Sequence, residues 1–309
     1  MTPVISVVVP VRDHADALAD CLDALARQRH APASEILVVD NGAPADLRGL
    51  VARFPRARYV REEAPGSYAA RNAGLRLARG EVIAFTDADC RPRDDWLARG
   101  LVALDRHPAC SLVAGRIALR FAGPSPTSAA EWFELVNAFR QDEYVARWHF
   151  GATANLFTRR ALFDAHGLFD PTLTSSGDRE WGERLHAAGL RAVYAADVVV
   201  EHPARRTLRA VLSKHRRVAA GLAHKNGFAA LGRREFALRV ARDWPRAPDF
   251  ARALSDPRLP GLGPAVRVLG VMAAVRCVRA LAYLRLRLTG APARPSAGVT
   301  APAAARRAP

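Results

Sequence analysis

The chain has 309 residues, with 46 lysines and arginines against 30 aspartates and glutamates, a formal net charge of +16. Half of the residues are apolar and a quarter are charged, which is ordinary for a globular protein and excludes a collagen-like, coiled-coil or largely disordered chain. The four cysteines form no CxxC pair, so a disulfide scaffold and a zinc site of that type are not predicted. The length suits one large domain, or one and a half.

Strands and helices alternate over the first 90 residues. Residues 4–9 form a β-branched run that predicts a strand buried on both faces. Further strands are predicted at 35–39, 58–61 and 81–86, and helices at 15–28, 45–53 and 67–78. This βαβ alternation predicts an α/β fold with a largely parallel sheet and right-handed crossovers.

The pattern loosens from about residue 95. Helices are predicted at 95–105 and 129–141, and strands at 111–119 and 198–200. A further helix is predicted from Arg159 to a turn at Gly167, and another follows the segment 175–181 and runs to Gly189. Beyond residue 203 the sequence indicates basic helices, followed by a tail rich in Ala, Pro and Arg. We therefore expect an α/β domain over 1–203, a basic helical region over 204–290 and a disordered tail over 291–309.

The positive charge is concentrated near the C-terminal end. Residues 1–200 carry 24 basic and 25 acidic side chains, whereas residues 201–309 carry 22 basic and 5 acidic ones. Such a region needs an anionic neighbour, which can be nucleic acid, anionic lipid or a phosphate-rich ligand. No signal peptide is predicted, and no apolar stretch reaches the 18 residues of a membrane span.

Acidic residues follow the predicted strands, at the edge where parallel strands end. These loops are Arg12-Asp13, Asp40-Asn41-Gly42, Glu62-Glu63 and Asp87-Ala88-Asp89. Open α/β sheets bind ligands at this edge, and carboxylates there can hold a divalent cation that in turn holds a diphosphate. The alternative is that Asp and Asn are simply favourable loop residues. Asp87 and Asp89 give the strongest signal, because they directly follow a buried strand.

Taken together, these segments resemble the family 2 glycosyltransferases, which have the nucleotide-diphospho-sugar transferase fold called GT-A. The resemblance extends over residues 4–203. It is carried by Ser6-Val7-Val8-Val9-Pro10-Val11-Arg12-Asp13, Ile36-Leu37-Val38-Val39-Asp40-Asn41-Gly42, Ala69-Ala70-Arg71-Asn72-Ala73-Gly74 and Phe85-Thr86-Asp87-Ala88-Asp89.

The resemblance implies roles for the matching residues in binding the donor. Asp40 would accept a hydrogen bond from the nucleotide base, and Arg71 would contact the nucleotide side of the donor. Asp87 would lie near the ribose and the metal, and Asp89 would ligate that metal, Mg or Mn. The resemblance also places the loop after the first strand in the nucleotide site, with Pro10, Arg12 and Asp13. In this loop Arg12-Asp13 stands where the family frequently has an aromatic residue followed by Asn.

The second half of the chain supplies the expected general base. In the family this acid lies in a Glu-Asp pair before a helix, and here Asp178 takes the place of the Asp while Gly177 replaces the Glu. Glu180 is the second candidate for the base. The resemblance makes His202 a metal ligand, with a structural histidine as the alternative, and Trp181 is expected to line the acceptor pocket or to be a core residue.

Two stretches of the basic region each have a predicted role and a structural alternative. Arg216 or Arg217 is expected to face the diphosphate, with a solvated basic helix face as the alternative. Residues 264–288 alternate arginine with apolar residues and resemble an interfacial helix at lipid headgroups, with packing on the domain as the competing view. This predicts a cytoplasmic enzyme that attaches peripherally to the inner face of an anionic membrane.

The predicted function is inverting transfer of a sugar from a nucleoside-diphosphate-sugar to a hydroxyl of a glycan or lipid-linked acceptor. Nucleotidyltransferases of the same fold usually have a Gly-rich loop after the first strand, which is missing here. A nucleic-acid-binding protein would carry aromatic residues among the arginines, yet residues 203–235 contain only Phe228, so no nucleic-acid partner is predicted. The alternative function is a nucleotide-sugar-binding or nucleic-acid-binding protein without transferase activity.

Overall fold

The computed structural model describes residues 3–12, 15–242 and 247–289. Within these residues, eight strands form one mixed sheet in the order β3-β2-β1-β4-β7-β6-β8-β5. The strands are β1 Ile5–Val11, β2 Ser34–Asp40, β3 Ala57–Arg61, β4 Val82–Thr86, β5 Arg91–Pro92, β6 Cys110–Arg120, β7 Asn155–Arg159 and β8 Arg191–Pro203.

Helices cover both faces of the sheet and form the C-terminal region. They are α1 Ala15–Ala26, α2 Arg48–Ala52, α3 Ser67–Leu77, α4 Trp96–Arg106, α5 Ala129–Asn137, α6 Gln141–Trp148, α7 Ala161–His166, α8 Gly177–Ala187, α9 Leu208–Lys225, a 3-10 turn Phe228–Ala230, α10 Arg233–Arg242, α11 Ala247–Ser255 and α12 Leu262–Thr289. Asp13 and the tail predicted for 291–309 lie outside the described residues.

The parallel half of the sheet is as predicted. β1 pairs in parallel with β2 and β4, and β2 pairs in parallel with β3. Val7 and Val9 of β1 pack in the core that contains α1, whereas Val8 packs in the core that contains α3. Because both faces of β1 are buried, its side chains are apolar without alternation. The pairing brings the ends of β1 and β2 together, with Val11 opposite Asp40.

The second half of the sheet differs from the expected pattern. β7 runs antiparallel to both β4 and β6, and the last strand covers Arg191–Pro203 instead of 198–200. The side chain of Asn155 joins these strands, because its amide nitrogen donates to the carbonyls of Arg116 and Val198, 2.9 Å each. A helix not predicted from the sequence, α6, follows α5 and lies over β6 and β8.

The C-terminal helices pack against α5. Apolar residues of α12, among them Val268, Met272 and Val275, share a core with Phe133 of α5 and Val211 of α9. One face of the segment 264–288 is thus a packing element of the fold, as the competing interpretation expected. Among the described helices, none is both long and apolar enough to cross a bilayer.

Candidate active site

The Asp87-Ala88-Asp89 segment forms a turn at the end of β4. The Cys90 amide donates to the Asp87 carbonyl, 3.0 Å, and the side chains of Ala88 and Cys90 point into the core. Asp87 and Asp89 remain partly exposed on the other side. Buried and partly exposed residues therefore alternate along this segment. The buried side chains of Ala88 and Cys90 fix the backbone, and the carboxylates of Asp87 and Asp89 lie at the sheet edge.

His202, near the end of β8, lies beside these carboxylates. Ligand atoms of Asp87, Asp89, Cys90 and His202 all lie within 4.8 Å of one another, and His202 Nε2 is 3.7 Å from Asp89 Oδ2. His202 Nδ1 is 2.8 Å from the Pro203 carbonyl, which can only accept, so Nδ1 carries the proton. Burial lowers the pKa of His202, so the ring is neutral and Nε2 presents a lone pair to the cluster.

The residues of this cluster fit a hard divalent cation. Two carboxylates and a neutral imidazole are suitable ligands for Mn, and a histidine whose other nitrogen donates to a carbonyl is typical of metal sites. Cys90 is the least suitable ligand, because sulfur is a soft ligand for a hard cation and this side chain packs in the core. The ligands available in the cluster are therefore Asp87, Asp89 and His202.

Arg71 connects the cluster to α3. Its Nη2 donates to Asp87 Oδ1 at 2.5 Å, and its Nη1 donates to the Ser67 carbonyl at 3.2 Å. The side chain is only 5% exposed, and its Nε has no hydrogen-bond partner. The guanidinium lies 5.7 Å from the centre of the Tyr68 ring. The structure therefore brings together Arg71 and Asp87, which the sequence places 16 residues apart.

Asp178 lies in the first turn of α8, on the other side of Tyr68. Its Oδ1 accepts hydrogen bonds from the Tyr68 hydroxyl, 3.1 Å, and from the Arg179 amide, 2.9 Å. Burial raises the pKa of Asp178, and the positive charge of Arg71 opposes this rise only in part. A Cβ on Gly177 would lie 2.8 Å from the Tyr68 ring, so Tyr68 occupies the space that a larger residue at 177 would need.

These groups face one cavity of about 590 Å³. It lies between the carboxyl edge of the sheet and the helices α5, α6, α8, α9 and α12. Asp87, Arg71, His202 and Asp178 line it, together with aromatic side chains of α5, α6 and the segments that follow them; these are Phe133, Phe139, Tyr144, Trp148 and Phe150.

A family model described as glycosyl transferase family 2 matches residues 6–167, more than half of the chain. The chain belongs to glycosyl transferase family 2. The glycosyltransferase AglE of Haloferax volcanii is 33% identical to it over 225 residues, which are 71% of this chain and 73% of AglE. A pre-mycofactocin glycosyltransferase of Mycobacterium tuberculosis is 29% identical over 212 residues, 66% of this chain and 44% of that protein, so the chain spans less than half of this relative.

Solved structures share the fold. The mannosyltransferase PcManGT from Pyrobaculum calidifontis, in complex with GDP-Man and Mn²⁺, superposes with a TM-score of 0.60 at 22% identity, over 94% of this chain and 88% of that one. S. aureus TarS 1–349 in complex with UDP-GlcNAc gives a TM-score of 0.52 at 16% identity, over 93% and 91%. The GT-A fold and a glycosyltransferase enzyme are thus confirmed.

Two residues predicted for the site of this glycosyltransferase lie elsewhere. Trp181 is completely buried, stacks on Phe163 with ring centres 4.4 Å apart, and donates from Nε1 to the Gly167 carbonyl. It is a core residue, and the prediction that it lines the acceptor pocket is wrong. Glu180 points along α8 to an ion pair with Arg184, 2.9 Å, and does not face the cavity.

The predicted nucleotide residues lie at the ends of β1 and β2. Both oxygens of Asp40 already accept hydrogen bonds, Oδ1 from the amides of Gly42 and Ala43 and Oδ2 from the side chains of Tyr59 and Arg61. These bonds lower the pKa of Asp40 although its burial opposes the change. A base contact to this carboxylate would have to share or displace one of these donors, and it stays a prediction. Pro10 lies near the end of β1, whose Val11 is opposite Asp40, and Arg12 directly follows that strand.

The sequence interpretation missed several residues of the cavity. Tyr68 lies one helical turn before Arg71, so the helical spacing could have indicated it. Of the two arginines proposed to face a diphosphate, Arg217 lines the cavity and Arg216 does not. Trp148 also lines it, with the Arg179 guanidinium 5.4 Å from its ring centre.

Proposed function

We propose that this glycosyltransferase moves a sugar from a nucleoside-diphosphate-sugar to a hydroxyl acceptor with inversion at the anomeric carbon. The observation that carries the proposal is that Asp178, a carboxylate with a raised pKa, lines the same cavity as Asp87 and Arg71 at the sheet edge. Arg71 and the metal-ligand cluster suit a diphosphate, and Asp178 supplies a base in the same cavity. Inversion requires both, on opposite faces of the sugar.

Asp178 is the proposed general base. In a single in-line displacement the acceptor oxygen bonds to the anomeric carbon, the bond to the diphosphate breaks, and Asp178 takes the hydroxyl proton. Tyr68 and the Arg179 amide donate to Oδ1 and hold the carboxylate at the wall of the cavity, where the acceptor hydroxyl would approach it. A raised pKa brings the base closer to neutral pH and strengthens it as a proton acceptor.

Asp87, Asp89 and His202 would hold the divalent metal, Mg or Mn. When bound there, the cation supplies positive charge that neutralises the diphosphate. The proposal is supported by the ligand set and by the Mn²⁺ named for the Pyrobaculum mannosyltransferase. Arg71 contributes by holding Asp87 in place.

The donor site is proposed to use both halves of the chain. Arg217 of α9 is solvent-accessible within the cavity and close enough to Asp87, Arg71 and Tyr68 to interact electrostatically with each. It would contact the diphosphate opposite the metal. Pro10, Arg12, Asp13 and Asp40 are proposed to bind the nucleotide, as the resemblance implied. For the acceptor, the exposed part of Trp148 offers the stacking surface that was expected of Trp181.

A nucleoside-diphosphate screen tests this function. We expect one of UDP, GDP or dTDP to raise the melting temperature with Mn²⁺ present, and to raise it less with a chelator, because binding to the folded state stabilises it. Thermal-shift measurement of the full chain reads this out. A shift with DNA or RNA but with none of the nucleotides would instead favour the nucleic-acid-binding alternative.

The enzyme is further proposed to attach to the cytoplasmic face of an anionic membrane, where it would meet a lipid-linked or cell-envelope glycan acceptor. Leu281, Leu284 and Leu288 of α12 are 64%, 45% and 76% exposed. Leu281 and Leu284 line an apolar groove with Phe236 and Val240 of α10. The same two helices also carry exposed arginines, as an interfacial surface would; they are Arg234, Arg239 and Arg285.

Vesicle co-sedimentation tests the attachment. We expect binding to vesicles of phosphatidylglycerol and phosphatidylcholine, weakened by salt, and reduced by the double change Leu281→Ser and Leu284→Ser. The matched control is Leu77→Ser with Leu208→Ser, two similarly exposed leucines elsewhere on the surface. Point changes are preferable to truncation, because removing α12 would expose Val268 and its neighbours in the core. Equal binding of all variants, or of neutral and anionic vesicles, would contradict the proposal.

A further inference from the structure

One turn of α3 connects Asp87 with Asp178. Tyr68 and Arg71 are three residues apart in α3 and therefore lie on the same face of the helix. Arg71 donates to the candidate metal ligand Asp87, and the Tyr68 hydroxyl donates to Oδ1 of Asp178 at 3.1 Å. Because both contacts start from one helical turn, α3 sets how the proposed base is placed relative to the proposed metal site.

The ring of Tyr68 is held in place by its neighbours. It is only 5% exposed and contacts Phe169, with ring centres 5.6 Å apart. Phe169 is fixed in turn by Asn72, which lies one helical turn after Tyr68 in α3. The Asn72 side chain donates to the Phe169 carbonyl at 2.8 Å and accepts from the Phe169 amide at 3.1 Å. The hydroxyl of Tyr68 therefore points in a fixed direction.

The start of α8 is fitted to this ring. Gly177 leaves the space that the ring fills, because a Cβ at this position would lie 2.8 Å from it. The preceding residue, Ser176, is 9% exposed and has a φ of 66°, a left-handed conformation that is uncommon outside glycine. Such a conformation persists only where the surrounding structure imposes it. The backbone that carries Asp178 is therefore held in one defined arrangement against Tyr68.

We propose that Tyr68 is a positioning residue, which holds the carboxylate of Asp178 in the orientation in which it takes the proton of the attacking hydroxyl. The inference rests on the proposed function and adds a residue to the same site. Tyr68 acts through Asp178 and takes up no proton itself. Burial and the charge of Asp178 raise the pKa of the Tyr68 hydroxyl, so the hydroxyl remains a hydrogen-bond donor.

Hydrolysis of a nucleotide sugar tests this role with water as the acceptor. The water oxygen bonds to the anomeric carbon, the bond to the diphosphate breaks, and Asp178 takes the proton. The probes are UDP-glucose, UDP-GlcNAc, GDP-mannose and dTDP-glucose, with Mn²⁺. We expect Tyr68→Phe, which keeps the ring, to lower kcat about 10-fold and to leave KM within about two-fold of the parent. The matched control, Tyr194→Phe, removes a hydroxyl from β8 outside the cavity and should change neither value.

The pH profile of hydrolysis separates positioning from a general structural defect. The groups that act on the charge of Asp178 come from α3, α6, α8 and the segment before β7; they are Tyr68, Arg71, Tyr144 and the amides of Arg179 and Thr153. The Tyr68 hydroxyl favours the ionised carboxylate, so Tyr68→Phe should raise the pKa of Asp178 further and move the acid limb up by about half a pH unit or more. Above that limb the lower kcat should remain, because greater basicity does not restore orientation. Full recovery of kcat at high pH would contradict the positioning role.

A thermal double-mutant cycle measures the same hydrogen bond without turnover. Melting temperatures at pH 8 are compared for the parent, Tyr68→Phe, Asp178→Asn and the double variant. Losing the hydroxyl costs an ionised carboxylate more than it costs a neutral amide. Asp178→Asn should therefore raise the melting temperature by about 2 °C or more beyond its effect in the parent when it is introduced into the Tyr68→Phe chain. Equal effects in the two chains would overturn the inference, also where the parent hydrolyses none of the probes.

Failure of this inference differs from failure of the proposed function. A Tyr68→Phe enzyme with the kcat and acid limb of the parent, beside a slow Asp178→Asn enzyme, would overturn the role of Tyr68 and leave Asp178 as the base. Equal loss of kcat in Tyr68→Phe and Tyr194→Phe would overturn it as well. Hydrolysis by Asp178→Asn at the rate of the parent would instead overturn the base assigned in the proposed function.

Discussion

Asp178→Asn is expected to lower turnover by about 100-fold or more, the usual scale for losing a general base. Asparagine keeps the size of the side chain, and its Oδ1 can still accept from the Tyr68 hydroxyl and the Arg179 amide, but it cannot take up a proton. Donor affinity should therefore survive. Single-turnover kinetics together with nucleotide binding separates the two effects.

Glu180→Gln provides the matched control. It makes the same chemical change two residues along α8, where the carboxylate is paired with Arg184 outside the cavity. Its turnover should stay within a few-fold of the parent. Full activity of Asp178→Asn with an inactive Glu180→Gln would move the base to Glu180, and a loss of donor binding in Asp178→Asn would indicate a structural role.

The raised pKa of Asp178 allows two further measurements, one on the parent enzyme and one on Asp178→Asn. Only the ionised carboxylate acts as a base, so parent turnover should fall as the pH drops through a pKa that lies above the usual range for aspartate. If a carboxyl holds its proton more tightly in the folded state than in the unfolded state, its ionisation lowers the stability of the folded protein. At neutral pH, Asp178→Asn should therefore melt at the same temperature as the parent or higher.

The residues proposed to bind the donor could be placed at one sheet edge from the sequence because buried strands fix their positions. β1 and β4 are short apolar runs, and parallel pairing leaves little freedom in where they end. The residues that follow them, above all Asp87 and Asp89, were therefore predicted correctly at one edge. Their neighbour His202 lies near the end of β8, and only the pairing of β8 with β5 and β6 brings it to that edge.

The proposed acceptor side could not be predicted, because it depends on how the helices pack. Trp148 and Trp181 are both aromatic residues of short helices, and helical spacing does not say which of them faces a cavity. Phe163 and Phe169 are distant from Trp181 in the sequence. They contact its buried ring only because α7 and the segment after it pack against α8. The ion pairs of Glu134 with the basic region likewise form only when α9 packs on α5.

Asp89→Ala is expected to abolish transfer and to remove the metal-dependent part of nucleotide affinity. Its Oδ2 faces His202 Nε2 at 3.7 Å, so the change leaves only Asp87 and His202 as ligands. A cation on a diphosphate stabilises the leaving charge by several kcal/mol, and we expect turnover to fall about 100-fold or more. Calorimetric titration of Mn²⁺ in the presence of the bound nucleoside diphosphate measures metal affinity independently of activity.

Asp94→Ala is the matched control for Asp89→Ala. Asp94 is an aspartate five residues along the chain, partly exposed and paired with Arg29 outside the metal cluster. It should bind Mn²⁺ and nucleotide as the parent does. Because Asp89 has its closest contacts within the cluster, its loss should spare the fold, and the melting temperature without metal should not change. Normal activity of Asp89→Ala in a chelator would show that the reaction needs no metal at this position, and would leave Arg71 and Arg217 as the groups that neutralise the diphosphate.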